Sequence, residues 1–362
     1  MHTQPNFRLL VVRLGAMGDI LHALPAVTAL RRAHPAWHVG WVVEPRWMPL
    51  LVAPEIGDQR SNISAARGAS MPIVDQLHFA ATRDWKRRPL SARTASEIRA
   101  LAHELRAMNY DAVLDLQGAI RSAAIGRLAA CPRRIGEATP REWPAHWLFT
   151  QRVVTRGAHV IEKAVELVSA VAGDALAAAE PLLPVDPEAE TWCDSFLAAA
   201  PSLAARPIVL LAPGAGWGAK RWPPERYAAV AQGLKQRGFS VLVNAGPGEE
   251  SLAAVITAGG AAVAVSATLP QLIALTRRIA LCIGGDTGPL HLACALGRPV
   301  VGIYGPTDPS RNGPYGTRAR VLRCPESRND HSRRAAPDPG LLTIAPEDVL
   351  RAADELLAEV RA

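Results

Sequence analysis

Gly284-Gly285-Asp286-Thr287-Gly288-Pro289-Leu290-His291-Leu292 comes directly after the apolar run Ile279 to Ile283, and together they read as a strand ending in a glycine turn that opens onto a helix. Gly284 and Gly285 permit positive φ and close backbone approach, and Asp286 or Thr287 is placed to cap a helix carrying Leu290, Ala293 and Leu296. Free amides at such a helix start, backed by its dipole, favour a phosphate or pyrophosphate. An ordinary capped turn is the other reading of the same residues. The neighbouring residues bear on the choice: Gly297-Arg298-Pro299 ends the helix, Val300 to Tyr304 is a buried-type strand, and Gly305-Pro306-Thr307-Asp308-Pro309 turns at its carboxyl end. Two neighbouring strand ends therefore aim loops at one place, which is where open α/β sheets bind ligands.

The same grammar extends outward in both directions. Leu9 to Val12, Val39 to Val43 and Ala112 to Leu116 alternate with helical stretches in the first half. Ile208 to Leu211, Val241 to Val243, Ala261 to Val265, Leu281 to Ile283 and Val300 to Ile303 do so in the second. Both halves should hold mainly parallel sheets, an α/β fold. Ala177 to Glu190, with Pro181, Pro184 and Pro187, reads as a linker, so the chain divides into a first domain over 1–176, the linker over 177–190, a second domain over 191–345 and a terminal helix over 346–362. The polar, Pro-containing stretch Pro325 to Gly340 reads as a mobile loop.

At 362 residues, 49% hydrophobic and 20% charged, the chain can bury a large core, and its length suits two domains better than one. No apolar run approaches the roughly 18 residues of a membrane span, and the start lacks a signal-peptide pattern, so a cytoplasmic location is expected. The five cysteines are widely spaced, which indicates neither a zinc site nor a disulfide framework. A formal net charge of +7 implies an anionic partner. Basic residues gather at Arg83, Lys86, Arg87, Arg88, Arg93, Arg99 and Arg106 around Trp85, as a solvated face or as a docking surface. An aromatic content of 5%, without any of the common nucleic-acid motifs, argues against nucleic acid as that partner.

Two more turns carry chemistry. In Val12-Arg13-Leu14-Gly15-Ala16-Met17-Gly18-Asp19-Ile20, Asp19 falls at the start of a helix with Ile20, Leu24, Val27 and Leu30 on its apolar face. It is either a cap or a general base favoured there by the helix dipole. In Pro213-Gly214-Ala215-Gly216-Trp217-Gly218-Ala219-Lys220, Gly214 and Gly216 let the backbone approach phosphate oxygens and Lys220 offers a cation for charge developing on a leaving diphosphate. The spacing is not that of a Walker loop, and no Asp-x-Asp metal motif is visible. Glu249, after Asn244-Ala245-Gly246-Pro247-Gly248, is placed for ribose hydroxyls or for solvent.

In this order Gly18-Asp19-Ile20-Leu21-His22-Ala23-Leu24-Pro25, Trp41-Val42-Val43-Glu44, Asn109 to Gly118, Lys220-Arg221-Trp222-Pro223 and Gly285 to Pro309 resemble the family 9 glycosyltransferases, through nearly the whole chain to about Gly316. The resemblance implies the GT-B architecture of two facing Rossmann-like domains, with a nucleotide-sugar donor, ADP-heptose, in the C-terminal one and a lipid-linked acceptor against the N-terminal one. It implies inverting transfer of L-glycero-D-manno-heptose to a Kdo residue of the lipid A inner core in lipopolysaccharide biosynthesis. No cofactor and no metal is implied, and the chain is expected to act as a monomer at the inner leaflet, held there by the basic residues near Trp85. Residue by residue, the base falls on Asp19, the donor-diphosphate positions on Lys220, Asp286, Thr287, Gly288 and His291, and the ribose position near Glu249. Arg121, with Arg13 and Gly18, falls on the acceptor side. Gly15-Ala16 stands where many relatives carry serines and Gly214 to Trp217 replaces a threonine-bearing loop, so backbone amides should do more of the diphosphate binding. Transfer to a heptose acceptor, a nucleotide-sugar epimerase or hydrolase, and a non-catalytic nucleotide-sugar sensor are the alternatives; a pure sensor needs no carboxylate at Asp19.

Overall fold

Apolar runs without alternation become strands buried on both faces of a parallel sheet, and the chain uses them in two units, Met1–Val185 and Asp186–Ala362. The computed structural model describes residues 6–53, 63–64, 68–330 and 333–361. The first unit holds β1 (Arg8–Val12), β2 (His38–Val43), β3 (Ile63–Ser64), β4 (Gln76–Phe79), β5 (Ala112–Asp115), β6 (Arg134–Glu137) and β7 (Gln151–Val153). Their order is β3-β4-β2-β1-β5-β6-β7, parallel throughout except for β3 against β4. The helices Ala92–Ala107 and Ile120–Leu128 bring Leu101, Leu105 and Ile125 onto Leu10, Val12 and Val113 to close one face of this sheet. The helix Met17–Ala33 runs unbroken through Pro25, and Ile20, Leu24, Val27 and Leu30 are all fully buried.

The second unit holds β8 (Ile208–Ala212), β9 (Ser240–Asn244), β10 (Val263–Val265), β11 (Leu281–Gly285), β12 (Val300–Tyr304) and β13 (Ala319–Arg323) in the all-parallel order β10-β9-β8-β11-β12-β13. The helices Pro224–Gln236 and Pro346–Arg361 supply Val230, Leu234, Val349 and Leu356 to its core. Trp222 is buried edge-on against Tyr227 and donates its indole N–H to Ile344 O at 3.2 Å. These are two Rossmann-like α/β units of the GT-B type, as expected. In each sheet the strand order reverses beside the first strand, between β1 and β5 and between β8 and β11. Loops leaving those neighbours diverge, opening a crevice at the carboxyl ends.

Two expectations are corrected. Residues 187–190 are not linker but the first turn of the helix Pro187–Ala198, because Asp186 Oδ1 accepts from the amides of Glu188 and Ala189 and Pro187 takes the first helical position. Nor do the described residues 325–330 and 333–340 form the loose loop their composition suggests. The Ala219 amide donates to Arg334 O at 3.0 Å, the Asp338 amide donates to Ala219 O at 3.1 Å, and the Asp330 amide donates to Pro306 O at 2.9 Å. This strap passes so near Gly218 that a Cβ there would fall 1.7 Å from Ala335 O, so a side chain at that position would push it off. No helix of the described residues is long and apolar enough to cross a membrane.

Candidate active site

Both crevices carry residues singled out by sequence. In the second unit, the turn after β8 brings Lys220 onto Asp286 at the end of β11, where Lys220 Nζ forms an ion pair with Asp286 Oδ2. Asp286 Oδ1 accepts from His291 Nε2 at 2.9 Å and from Asn312 Nδ2 at 3.0 Å. Burial alone would raise the Asp286 carboxyl, but His291 and Lys220 outweigh it and hold the group well below the usual carboxylate range. The Trp217 ring lies 4.3 Å from Lys220 Nζ, a cation–π contact that fixes the ammonium from its other side. The hub therefore joins three stretches of chain around one ionised carboxylate.

Neither Asp286 nor Thr287 caps the helix Gly288–Ala295. Asp286 is engaged by its three donors, and Thr287, at the cap position, makes no side-chain cap bond. Its hydroxyl is buried without a partner, as is that of Thr307 in the turn after β12. Buried hydroxyls without partners are destabilising, and an oxygen-rich ligand at these turns would offset that cost. Gly214 admits the carboxylate of Glu249: a Cβ at Gly214 would fall 2.0 Å from Glu249 Oε1, while Glu249 Oε2 accepts from the Gly246 amide at 3.0 Å. Lys220, Asp286, Thr287, Gly288 and His291 thus share one turn cluster. Glu249 and Gly214 meet beside it at the ends of β9 and β8, and Gly216 stands in the same loop with open space around its Cα.

In the first unit, the crevice between β1 and β5 holds Arg13 and Asp19. Asp19 Oδ2 accepts from the Ala16 amide at 2.9 Å, so it does cap its helix, and Oδ1 pairs with Arg13 Nη2 at 2.9 Å. The carboxylate nevertheless stays 37% exposed. Arg13, expected to meet the acceptor, makes its contacts inside the protein. Its Nε donates to Asp19 O at 3.1 Å and its Nη1 to Leu116 O, tying the turn after β1 to the turn after β5. Gly18 is the second residue of the Asp19 helix, and Arg121 is exposed at the start of Ile120–Leu128.

Beneath them sits a group that sequence reading passed over. Asp115, at the end of β5, accepts from the amides of Gln117 (2.7 Å) and Gly118 (2.8 Å) through Oδ1, while Oδ2 is buried without a partner. Burial pushes its carboxyl up to about 6, against the pull of the Gly118 amide. The native carboxyl therefore keeps its proton where the unfolded chain has released it, and ionising it costs the fold roughly 2–3 kcal/mol. Unfolding free energy should accordingly carry a component that falls as pH rises from about 4 to about 6. Asp115→Asn should flatten that slope in denaturant titrations across this window, and an unchanged slope would place the titration elsewhere. Trp217 and Asn312 were also passed over. Trp217 had a signal, an aromatic three residues before the loop lysine. Asn312 had none.

With this geometry in place, the chain can be set beside known proteins. A family model for glycosyltransferase family 9 (heptosyltransferase) matches residues 98–339. Lipopolysaccharide heptosyltransferase 1 of Escherichia coli K12 is 32% identical over 328 residues, which are 88% of this chain and 94% of that protein. The chain belongs to glycosyltransferase family 9. A second family 9 relative, lipopolysaccharide heptosyltransferase 1 of Pseudomonas aeruginosa, is 28% identical across 85% of this chain and 81% of its own. The solved structure of E. coli heptosyltransferase WaaC with ADP superposes with a TM-score of 0.75 at 26% identity, covering 97% of this chain and all of that one. The matched family region holds Lys220, Glu249 and the Asp286 turn and begins beyond Asp19. As a family 9 member the protein is an enzyme, a glycosyltransferase of the heptosyltransferase class.

Proposed function

We propose that this glycosyltransferase moves L-glycero-D-manno-heptose from ADP-heptose to a Kdo residue of the lipid A inner core, with inversion. The observation that carries the donor half is the Lys220–Asp286–His291 hub at the β8/β11 switch point, beside an uncapped helix start and two unpartnered hydroxyls. The relatives' solved structures with ADP and with ADP-2-deoxy-2-fluoro heptose support the same donor. The heptosyltransferase 1 relatives support a lipopolysaccharide acceptor.

The chemistry is a single displacement. The acceptor hydroxyl gives its proton to Asp19 as its oxygen bonds to the anomeric carbon, and the bond from that carbon to the diphosphate breaks. ADP leaves with the added charge, which the Gly288 helix start and Lys220 stabilise. Asp286 acts as a positioning residue, setting Lys220 and His291, and Glu249 takes the ribose hydroxyls. Arg13 positions Asp19, and Arg121 with the Gly18 backbone meets the acceptor's anionic groups. Lysine and a helix dipole supply the positive potential a divalent cation would otherwise bring, so chelation by EDTA should leave the rate unchanged; a strong loss would bring a metal into the mechanism.

The decisive experiment monitors ADP release from ADP-heptose by the purified protein with and without Kdo-bearing lipid A, and weighs the lipid product by mass spectrometry. Acceptor-dependent release with one heptose added is expected. Release without acceptor would replace transfer by hydrolysis, and a product formed only on an already heptosylated lipid would move the acceptor outward.

The enzyme is proposed to work as a monomer on the inner face of the cytoplasmic membrane. Arg83, Lys86 and Arg88 form no ion pair among the described residues, Arg87 makes a long, exposed pair with Asp84 at 3.9 Å, and Arg93 is paired with Glu97, whose carboxylate also accepts from the Trp85 indole at 2.8 Å. Each exposed Lys or Arg near an anionic leaflet adds about 1 kcal/mol. Reversing Arg87 and Arg88 to glutamate should weaken sedimentation with anionic vesicles by roughly tenfold or more at low salt. Unchanged sedimentation would leave these residues as a solvated face.

A further inference from the structure

Residues 138–150, between β6 and β7, contain an inverted piece of packing. The short 3₁₀ helix Trp143–Leu148 turns its small residue inward: Ala145 is fully buried with Ala123 and Phe149, and Leu148 packs against them. Its two largest side chains stay outside, Trp143 at 55% and Trp147 at 70% exposure. Of the nine tryptophans in the chain, these two alone are exposed. A tryptophan carries more apolar surface than almost any other side chain, so leaving a pair of them in water marks a surface that something covers.

The residues tied to this turn add charge. Glu142 accepts from the Ile120 amide at 2.9 Å, and its own amide donates to Gly118 O at 2.8 Å, which sets exposed Ile120 and Arg121 beside Trp143. Trp143 stacks on His146 at 4.8 Å, and His146 O accepts from Arg152 Nε at 3.1 Å. Arg121, Arg141 and Arg152 are exposed and form no ion pair among the described residues. The nearby acids are engaged, Glu142 by the Ile120 amide and Glu137 by Lys163. The residues around this turn thus present two indoles and an aliphatic side chain together with three guanidinium groups that have no acidic partner among the described residues.

We infer that this face is a docking surface for an anionic lipid bilayer, with Trp143 and Trp147 seated at the headgroup level. Indoles prefer the membrane–water interface because their apolar rings and polar N–H each find a matching medium there, and guanidinium groups add attraction to anionic headgroups. The inference rests on the proposed reading of a lipid-linked acceptor, and it assigns the apolar anchor to a different place from the basic residues around Trp85. Arg121 lies within the patch, so docking here would bring the acceptor end of the first unit to the lipid surface.

The test uses the full chain and vesicles of phosphatidylcholine alone or with phosphatidylglycerol. Wild-type protein should sediment with the anionic vesicles. Trp143→Ser/Trp147→Ser should lower that partition by roughly tenfold, and Arg141→Glu/Arg152→Glu should remove the preference for anionic lipid. The tryptophan variant should keep transfer to a deacylated, water-soluble Kdo acceptor within about twofold, as surface substitutions do when the fold is intact, and lose transfer to lipid A embedded in vesicles. Equal sedimentation of wild type and the tryptophan variant would overturn the proposal. So would loss of a wild-type dimer in that variant by light scattering, which would make the face an interface between copies. Tryptophan-dependent sedimentation without transfer to either acceptor would leave the docking surface standing and remove the proposed acceptor.

Discussion

Asp19→Asn should lower kcat by about 10²–10⁴-fold with ADP affinity unchanged. The substitution separates the two roles that Asp19 holds. Asparagine keeps an oxygen for the Ala16 amide, so the helix Met17–Ala33 retains its cap, whereas removing a cap altogether costs about 1 kcal/mol. Asparagine cannot accept the acceptor's proton, and it surrenders the ion pair with Arg13. If capping were the whole of its function, Asp19→Asn would match wild type in both rate and melting temperature. Asp19→Ala supplies the contrast, losing both rate and stability. Single-turnover measurements with saturating donor place any loss in the transfer step and not in binding.

Lys220→Met should slow turnover by about 10²–10³-fold through loss of charge at the leaving diphosphate. It should also destabilise the protein by about 3–5 kcal/mol, because Asp286 would be left ionised and almost fully buried with only His291 and Asn312 beside it. Rate and stability can be pulled apart. Lys220→Met/Asp286→Asn removes both charges of the pair and should recover most of the stability while recovering none of the rate, a coupling that a thermodynamic cycle reads directly. Asp286→Asn alone should raise KM for donor and spare kcat more than Lys220→Met does, as suits a positioning residue. Equal rates for Lys220→Met and wild type would remove the lysine from leaving-group stabilisation.

The parts of this architecture that were readable in the sequence are those governed by local periodicity. The apolar runs of β1, β8, β11 and β12, the glycine turns at their ends and the Pro-started helix after Trp222 need only their own residues to be recognised. The strand ends then located Asp19, Lys220 and the Asp286 turn, because parallel sheets bring such turns to one edge. The features that stayed hidden depend on partners far away in sequence. Asp286 looked like a cap because nothing local revealed that Lys220 and Asn312 would claim its carboxylate. Asp115 looked like the end of a strand; its burial is visible only once β1 and the Gln117 turn close over it. The stretch after Cys324 looked loose because polar composition cannot report backbone hydrogen bonds to Ala219.

That strap also bears on the order in which the enzyme becomes competent as it is made. Lys220 and Asp286 lie in one cluster, yet the loop that carries Lys220 is braced by Arg334, Ala335 and Asp338, over a hundred residues later in the chain. Domains generally fold as units while synthesis proceeds from the N-terminus. The first unit can therefore settle on the ribosome while the second still lacks its brace, and tight donor capture should be the last property acquired. A nascent chain halted after β13 would carry Asp19, Lys220 and Asp286 and still hold the Lys220 loop unsupported.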